Sequence, residues 1–165
     1  MKLITLLLFT FFGFSTTPNL SQEAKPQAPE ISLQNPDGQQ INLTDLRGNI
    51  VLVDFWASWC GPCRRKHPEL TGVYNKFKNQ KFKNGARFEI FSVSLDRNKN
   101  AWKAAIAKDH LTWSTHVSDL QGWNSSAAKA YGVRSIPSNV LIDADGKIIA
   151  KNLFGADLEN FLTSL

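Results

Sequence analysis

Two cysteines occur in this 165-residue chain, three positions apart, as Cys60-Gly61-Pro62-Cys63. A sulfur pair at that spacing suits thiol–disulfide exchange: one thiolate attacks a disulfide, and the second resolves the mixed disulfide. The geometry works if Cys60 opens a helix, because side chains three apart are neighbours on one helical face. A helix N-terminus offers unpartnered N–H groups and the positive end of its dipole, and both stabilise a thiolate on Cys60. The run Arg64-Arg65-Lys66-His67 adds positive charge next to the pair. Gly61 permits a tight turn into the helix, and Pro62 falls where a missing N–H costs nothing. Cys60 is expected to be the exposed, attacking sulfur and Cys63 the deeper, resolving one.

Other chemistries for the pair are weaker. A structural disulfide closing so short a loop removes little entropy from the unfolded chain. A zinc site needs further ligands, and His67, His110 and His116 show no ligand-like spacing and no second cysteine pair. Haem attachment needs histidine directly after the second cysteine, where Arg64 stands. No metal or organic cofactor is expected. His67, four residues past Cys63, is read as a solvent-exposed helix residue, with tuning of the pair as the less favoured role.

Asp54 is the only charged residue in the apolar run Ile50–Trp56. A buried, unpaired carboxylate is costly, so Asp54 should have a raised pKa or a specific partner. A strand-end aspartate satisfied by backbone N–H groups is the alternative. Pro137 interrupts another strand-like stretch, where proline is normally excluded, and a cis Ile136–Pro137 bond resolves the conflict. Trp56 is read as core and Trp59 as partly exposed at the rim of the pair. Trp102, Trp113 and Trp123 are read as packing residues.

The elements that must hold these residues follow from pattern. Ile31–Leu33 and Ile41–Leu43 alternate apolar and polar around Asn35-Pro36-Asp37-Gly38, a hairpin. Ile50–Trp56 is a continuous apolar run, a central strand buried on both faces. Cys60 to about Asn79 has helical spacing, Phe88–Leu95 is a second buried strand, and Asn98–His110 is a helix. Ser125–Tyr131 is a short helix that Gly132 caps in the left-handed conformation. Val140–Ile142 and Lys147–Ala150 form a hairpin, and Ala156–Leu165 closes as a helix. The order βαβα then ββα indicates an α/β fold, a mixed central sheet flanked by helices.

Composition bounds the rest. The chain is 42% hydrophobic with a net charge of +5 spread along it, enough for one core and no sign of a nucleic-acid surface. Residues 1–15 begin with Lys2 and continue as an apolar stretch of about 12 residues, signal-peptide length and short of the ~20 a spanning helix needs. Gly13 and Ser15 place small residues for cleavage after Ser15; an uncleaved anchor is the alternative. Residues 16–29 are polar and proline-rich, a linker, and residues 30–165 form the domain. Export places the chain in the periplasm or cell envelope, where a lone cysteine pair sits as a disulfide unless something reduces it.

With these residues in place, the stretch Val51–Cys63 resembles the active-site segment of thioredoxins. Pro68 is similar to the proline that kinks their active-site helix, Gly132–Ser138 to the segment carrying their cis-proline, and Gly155 to the glycine before their last helix. The N-terminal hairpin, a helical insertion between about Asp96 and Trp123 and the export signal resemble exported thioredoxin relatives of the ResA and TlpA type. The resemblance implies a thioredoxin-like fold. It sets Asp54 beneath the disulfide, where it takes the Cys63 proton through water. It also makes the Ile136–Pro137 turn, with Trp59, Gly61 and Pro62, the docking site for an extended client segment. No match exists in Phe91–Leu95 for the lysine thioredoxins place under the centre.

The function expected is thiol–disulfide exchange on protein disulfides, as a reductant, with envelope work such as cytochrome c maturation within the family's range. Its partners would be disulfide-bearing client proteins and a membrane-side electron donor, the chain itself acting as a monomer without nucleic acid. Two rivals stand beside it. One is a peroxiredoxin-like thiol peroxidase, although Val53 and Ala57 occupy the positions of that motif's proline and hydroxyl residue. The other is a redox-inert binding module on the same fold.

Overall fold

Ile50–Trp56 becomes the middle of the sheet because every one of its side chains finds cover, on both faces. A computed structural model of the chain describes residues 25–83 and 85–165. The expected signal peptide, residues 1–15, and most of the linker lie outside these residues. Strands β1 (Ser32–Gln34) and β2 (Gln40–Asn42) form the N-terminal hairpin, followed by β3 (Ile50–Trp56) and helix α1 (Gly61–Phe77). Then come β4 (Phe88–Ser94), α2 (Lys99–Lys108), β5 (His116–Val117) and α3 (Ser126–Ala130). The chain ends with β6 (Ser138–Ile142), β7 (Ile148–Lys151) and α4 (Gly155–Thr163).

Among the described residues, the larger sheet has the order β5-β4-β3-β6-β7. The first three strands run parallel, and β6 and β7 are antiparallel to their neighbours. Alternation along β3 divides the core. Leu52 and Trp56 face a cluster with Val73 and Phe77 of α1, Trp102 of α2 and Leu158 of α4. Val51, Val53 and Phe55 face a second cluster with Ile31, Leu43 and Ala127. Asp54, in register with Leu52 and Trp56, therefore looks toward the face that α1 and α4 cover. Side chains as large and enclosed as Trp56 and Trp102 anchor that face; truncating one costs roughly 3–5 kcal/mol.

Most expected elements are present within a residue or two. Asn98 caps α2 by accepting from the Ala101 N–H, and Gly132 ends α3 at φ 65°. Two features differ. Strand β5 has no signature of its own; it exists by pairing Ser92 and Val93 of β4 with His116 and Val117. The end of the linker also reaches the sheet: Gln27 bridges Lys147, and the Pro26 carbonyl accepts from the Ile148 N–H at 2.9 Å. No helix among the described residues is long and apolar enough to cross a membrane.

Candidate active site

The polypeptide leaves β3 at Trp56 and must turn sharply before α1 begins. Ser58 is gripped in that turn: its N–H and hydroxyl donate to the two carboxylate oxygens of Asp96 at 2.8 and 2.5 Å. Ser94 donates to the same carboxylate at 2.7 Å, so the end of β4 holds the turn. The Cys60 N–H donates to the Ala57 carbonyl at 3.0 Å, and Cys60 becomes the N-cap of α1. Its sulfur accepts from the Cys63 N–H at 3.2 Å. A sulfur is thus set where the first turn of the helix presents its unpartnered donors.

Cys60 and Cys63 are joined as a disulfide, with S–S 2.00 Å and Cα–Cα 5.3 Å. Cys60 is 5% exposed and Cys63 2%. The exposed leading sulfur read from the sequence is therefore nearly covered in the disulfide form, only slightly less so than its mate. Gly61 and Pro62 lie exposed in the first turn of α1. Pro68 sits inside α1.

Beneath the disulfide, Asp54, Cys63 and Pro137 line one cleft together with Trp56, Lys66 and His67. The opposite wall is built by Asn139, Phe154 and Gly155, and the free space is ≈ 20 Å³, enough for a single water. Gly155 meets that wall at φ 50°, a backbone conformation suited to glycine. Burial pushes the Asp54 carboxyl up to about 7, because the charged form loses its hydration there. Its antiparallel neighbour Asn139 is committed elsewhere, holding both the N–H and the carbonyl of Leu153. Lys66 places its ammonium over the Phe154 ring, 4.7 Å from the centroid. The Ile136–Pro137 bond is cis, as the strand-interrupting proline suggested.

Further residues depart from their sequence-based assignment or escaped it. His67 is not a surface histidine: it is 2% exposed, packed edge-on against Trp56, with Nδ1 2.7 Å from Asp109. A helix-spacing argument places it on the face of Cys63, which is the buried face here. Trp123 is not a packing residue; it is 45% exposed, and its ring lies 6.3 Å from that of Trp59, itself 55% exposed. Trp102 and Trp113 are buried as expected. Asp96 had no sequence signal beyond following an apolar strand. Among the described residues no group of three or more His, Cys, Asp or Glu could hold a metal ion.

Comparison with known proteins settles what this arrangement belongs to. The Redoxin family model matches residues 23–162. The chain belongs to the Redoxin family. Relatives of this Redoxin chain include the thiol–disulfide oxidoreductase ResA of Bacillus thuringiensis subsp. konkukian, 30% identical over 141 residues, covering 86% of this chain and 76% of that protein. ResA of Geobacillus thermodenitrificans is 30% identical over 170 residues, covering 98% and 92%. Among solved structures, the thioredoxin domain of a Bacteroides vulgatus thiol–disulfide oxidoreductase aligns with TM-score 0.75 at 36% identity, covering 85% of this chain and 95% of that one. A thiol–disulfide oxidoreductase from Bacteroides fragilis gives TM-score 0.75 at 33% identity, covering 84% and 98%. The redoxin fold here is thioredoxin-like, and the chain is a thiol–disulfide oxidoreductase.

Proposed function

We propose that the chain reduces protein disulfides in the cell envelope, with Cys60 as the attacking sulfur, Cys63 as the resolving sulfur and Asp54 as the proton acceptor for Cys63. The observation that carries the reading is the shared cleft: Asp54, buried and titrating near neutrality, lines the same one-water space as Cys63. In the reduced protein the Cys60 thiolate attacks a client disulfide, forming a mixed disulfide and releasing one client thiolate. Cys63 gives its proton to Asp54 through the water, and its sulfur attacks Cys60. The Cys60–client bond breaks, the second client thiolate leaves, and the Cys60–Cys63 disulfide forms. The client gains two electrons, and the dithiol loses two.

The client segment lies against the Ile136–Pro137 turn, with Trp59, Gly61 and Pro62 at the rim and Trp123 beside Trp59. An envelope location follows from the signal-like residues 1–15 and fits the kinship with ResA proteins. A reductant there must be recharged, so a membrane-side dithiol donor belongs to the cycle, with maturing cytochromes c among the candidate clients. Cys63→Ser blocks resolution, so the variant should accumulate covalent adducts between Cys60 and clients, released by dithiothreitol. Absence of adducts from a folded variant would overturn the assignment of Cys60 as nucleophile. Asp54→Asn should slow exchange on the order of 100-fold near neutral pH, the lower end of a general-base contribution.

A further inference from the structure

The cleft under the disulfide contains a second base. His67 lines it beside Cys63 and Asp54, four residues beyond Cys63 on the same face of α1. One ring nitrogen is committed: Nδ1 lies 2.7 Å from the Asp109 carboxylate, which fixes it as the protonated, donating nitrogen. Asp109, the C-cap of α2, is itself held by Arg64, whose Nε donates at 2.8 Å to the oxygen that meets His67 and whose Nη2 donates at 2.5 Å to the other. The other ring nitrogen, Nε2, is enclosed and has no hydrogen-bond partner among the described residues. An unpartnered buried nitrogen costs about 1–3 kcal/mol, and His67 Nε2, unlike the likewise unpartnered His116 Nδ1, belongs to a side chain that lines the cleft beside Cys63. The arrangement leaves a lone pair free while the carboxylate behind the ring stands ready to stabilise an imidazolium.

We propose that His67, oriented by Asp109, is a second proton carrier for Cys63, sharing with Asp54 the proton that leaves when Cys63 attacks the mixed disulfide. The proton leaves the Cys63 thiol for His67 Nε2. The sulfur's electron pair forms the Cys60–Cys63 bond, and the client sulfur leaves with the pair from the broken bond. Asp109 and Arg64 act through His67 and are positioning residues. The charged and titratable groups that face the ring are Arg64 and Lys66 on α1, Asp109 at the end of α2, Asp54 on β3 and His116 on β5. Burial holds the imidazole below its usual range, more than Asp109 raises it, so it is neutral and able to accept at neutral pH.

This inference rests on the cysteine pair reducing protein disulfides, and the test separates the two. Rates of peptide-disulfide reduction by the reduced protein are measured from pH 5 to 9 for wild type, His67→Gln, Asp109→Asn, Asp54→Asn and Asp54→Asn/His67→Gln. His67→Gln and Asp109→Asn should each slow reduction about 5- to 20-fold and remove one inflection from the profile, and the double variant should fall below both of its parents. A His67→Gln profile that superimposes on wild type, in a folded protein, overturns the proposal. A second measurement needs no variant: nitrogen NMR of wild-type His67 should show the Nδ1–H tautomer and a titration midpoint that moves on reduction of the disulfide. A midpoint indifferent to the redox state also overturns it. Wild-type protein inert toward peptide disulfides refutes the underlying reading, while the NMR comparison still decides the histidine.

Discussion

Asp96 reaches back 38 residues to hold Ser58 by both its amide and its hydroxyl, at 2.8 and 2.5 Å. That contact ties the end of β4 to the turn just before Trp59 and Cys60. The sulfur's position at the helix mouth therefore depends on a carboxylate just past the end of β4 as well as on the helix itself.

Removing that carboxylate should loosen the turn and destabilise the protein together. Asp96→Ala leaves three donors without their acceptor and should cost on the order of 3 kcal/mol, whereas Ser58→Ala, which keeps the amide contact, should cost about 1 kcal/mol. Urea unfolding checks the magnitudes. Alkylation of reduced Cys60 in Asp96→Ala, measured in the folded range, should be less selective over Cys63; unchanged selectivity would show that the helix alone sets the sulfur.

Asp54 should make stability depend on pH in an unusual direction for an aspartate. Its carboxyl is pushed from 3.8 up to about 7 by burial, so between these values the folded state binds more protons than the unfolded state. Stability from this group is fully present below about pH 4 and is lost as pH rises through 7, a change on the order of 4 kcal/mol. Asp54→Asn should therefore be more stable than the parent at pH 8, by about 2–4 kcal/mol, with the gain vanishing toward pH 4. Comparing the two proteins at each pH cancels the contribution of His116, which burial depresses to about 4. A constant difference across the range would contradict an unpaired buried carboxylate.

The exposed Trp59–Trp123 pair should act on client binding more than on folding. Exposed large apolar side chains next to a reactive centre resemble the aromatic anchors that dominate interfaces. Trp123→Ala should raise KM for a peptide disulfide about tenfold, equivalent to ~1.4 kcal/mol, and change kcat little. A steady-state comparison with wild type decides it; an unmoved KM would leave Trp123 outside the docking surface.

The central strand, the active-site helix and the sulfur pair at their junction are legible in the residues alone. Those signals are local: a continuous apolar run, a 3.6-residue period, and two cysteines spaced by one turn. The sequence also marked Asp54, since a lone charge in a buried strand has an energetic consequence wherever the strand is placed. The neighbours of these groups come from contacts between distant segments. Asp96 and Asp109 reach the site across 38 and 42 residues of chain, and neither stands in a pattern that announces it. His67 and Trp123 exchanged their expected environments because burial on a helix or a short turn depends on what packs against it. Strand β5 likewise exists only through its pairing with β4. Periodicity reports which side of an element is apolar; contact between distant segments sets which polar group meets which, and that is where the proton chemistry of this cleft is fixed.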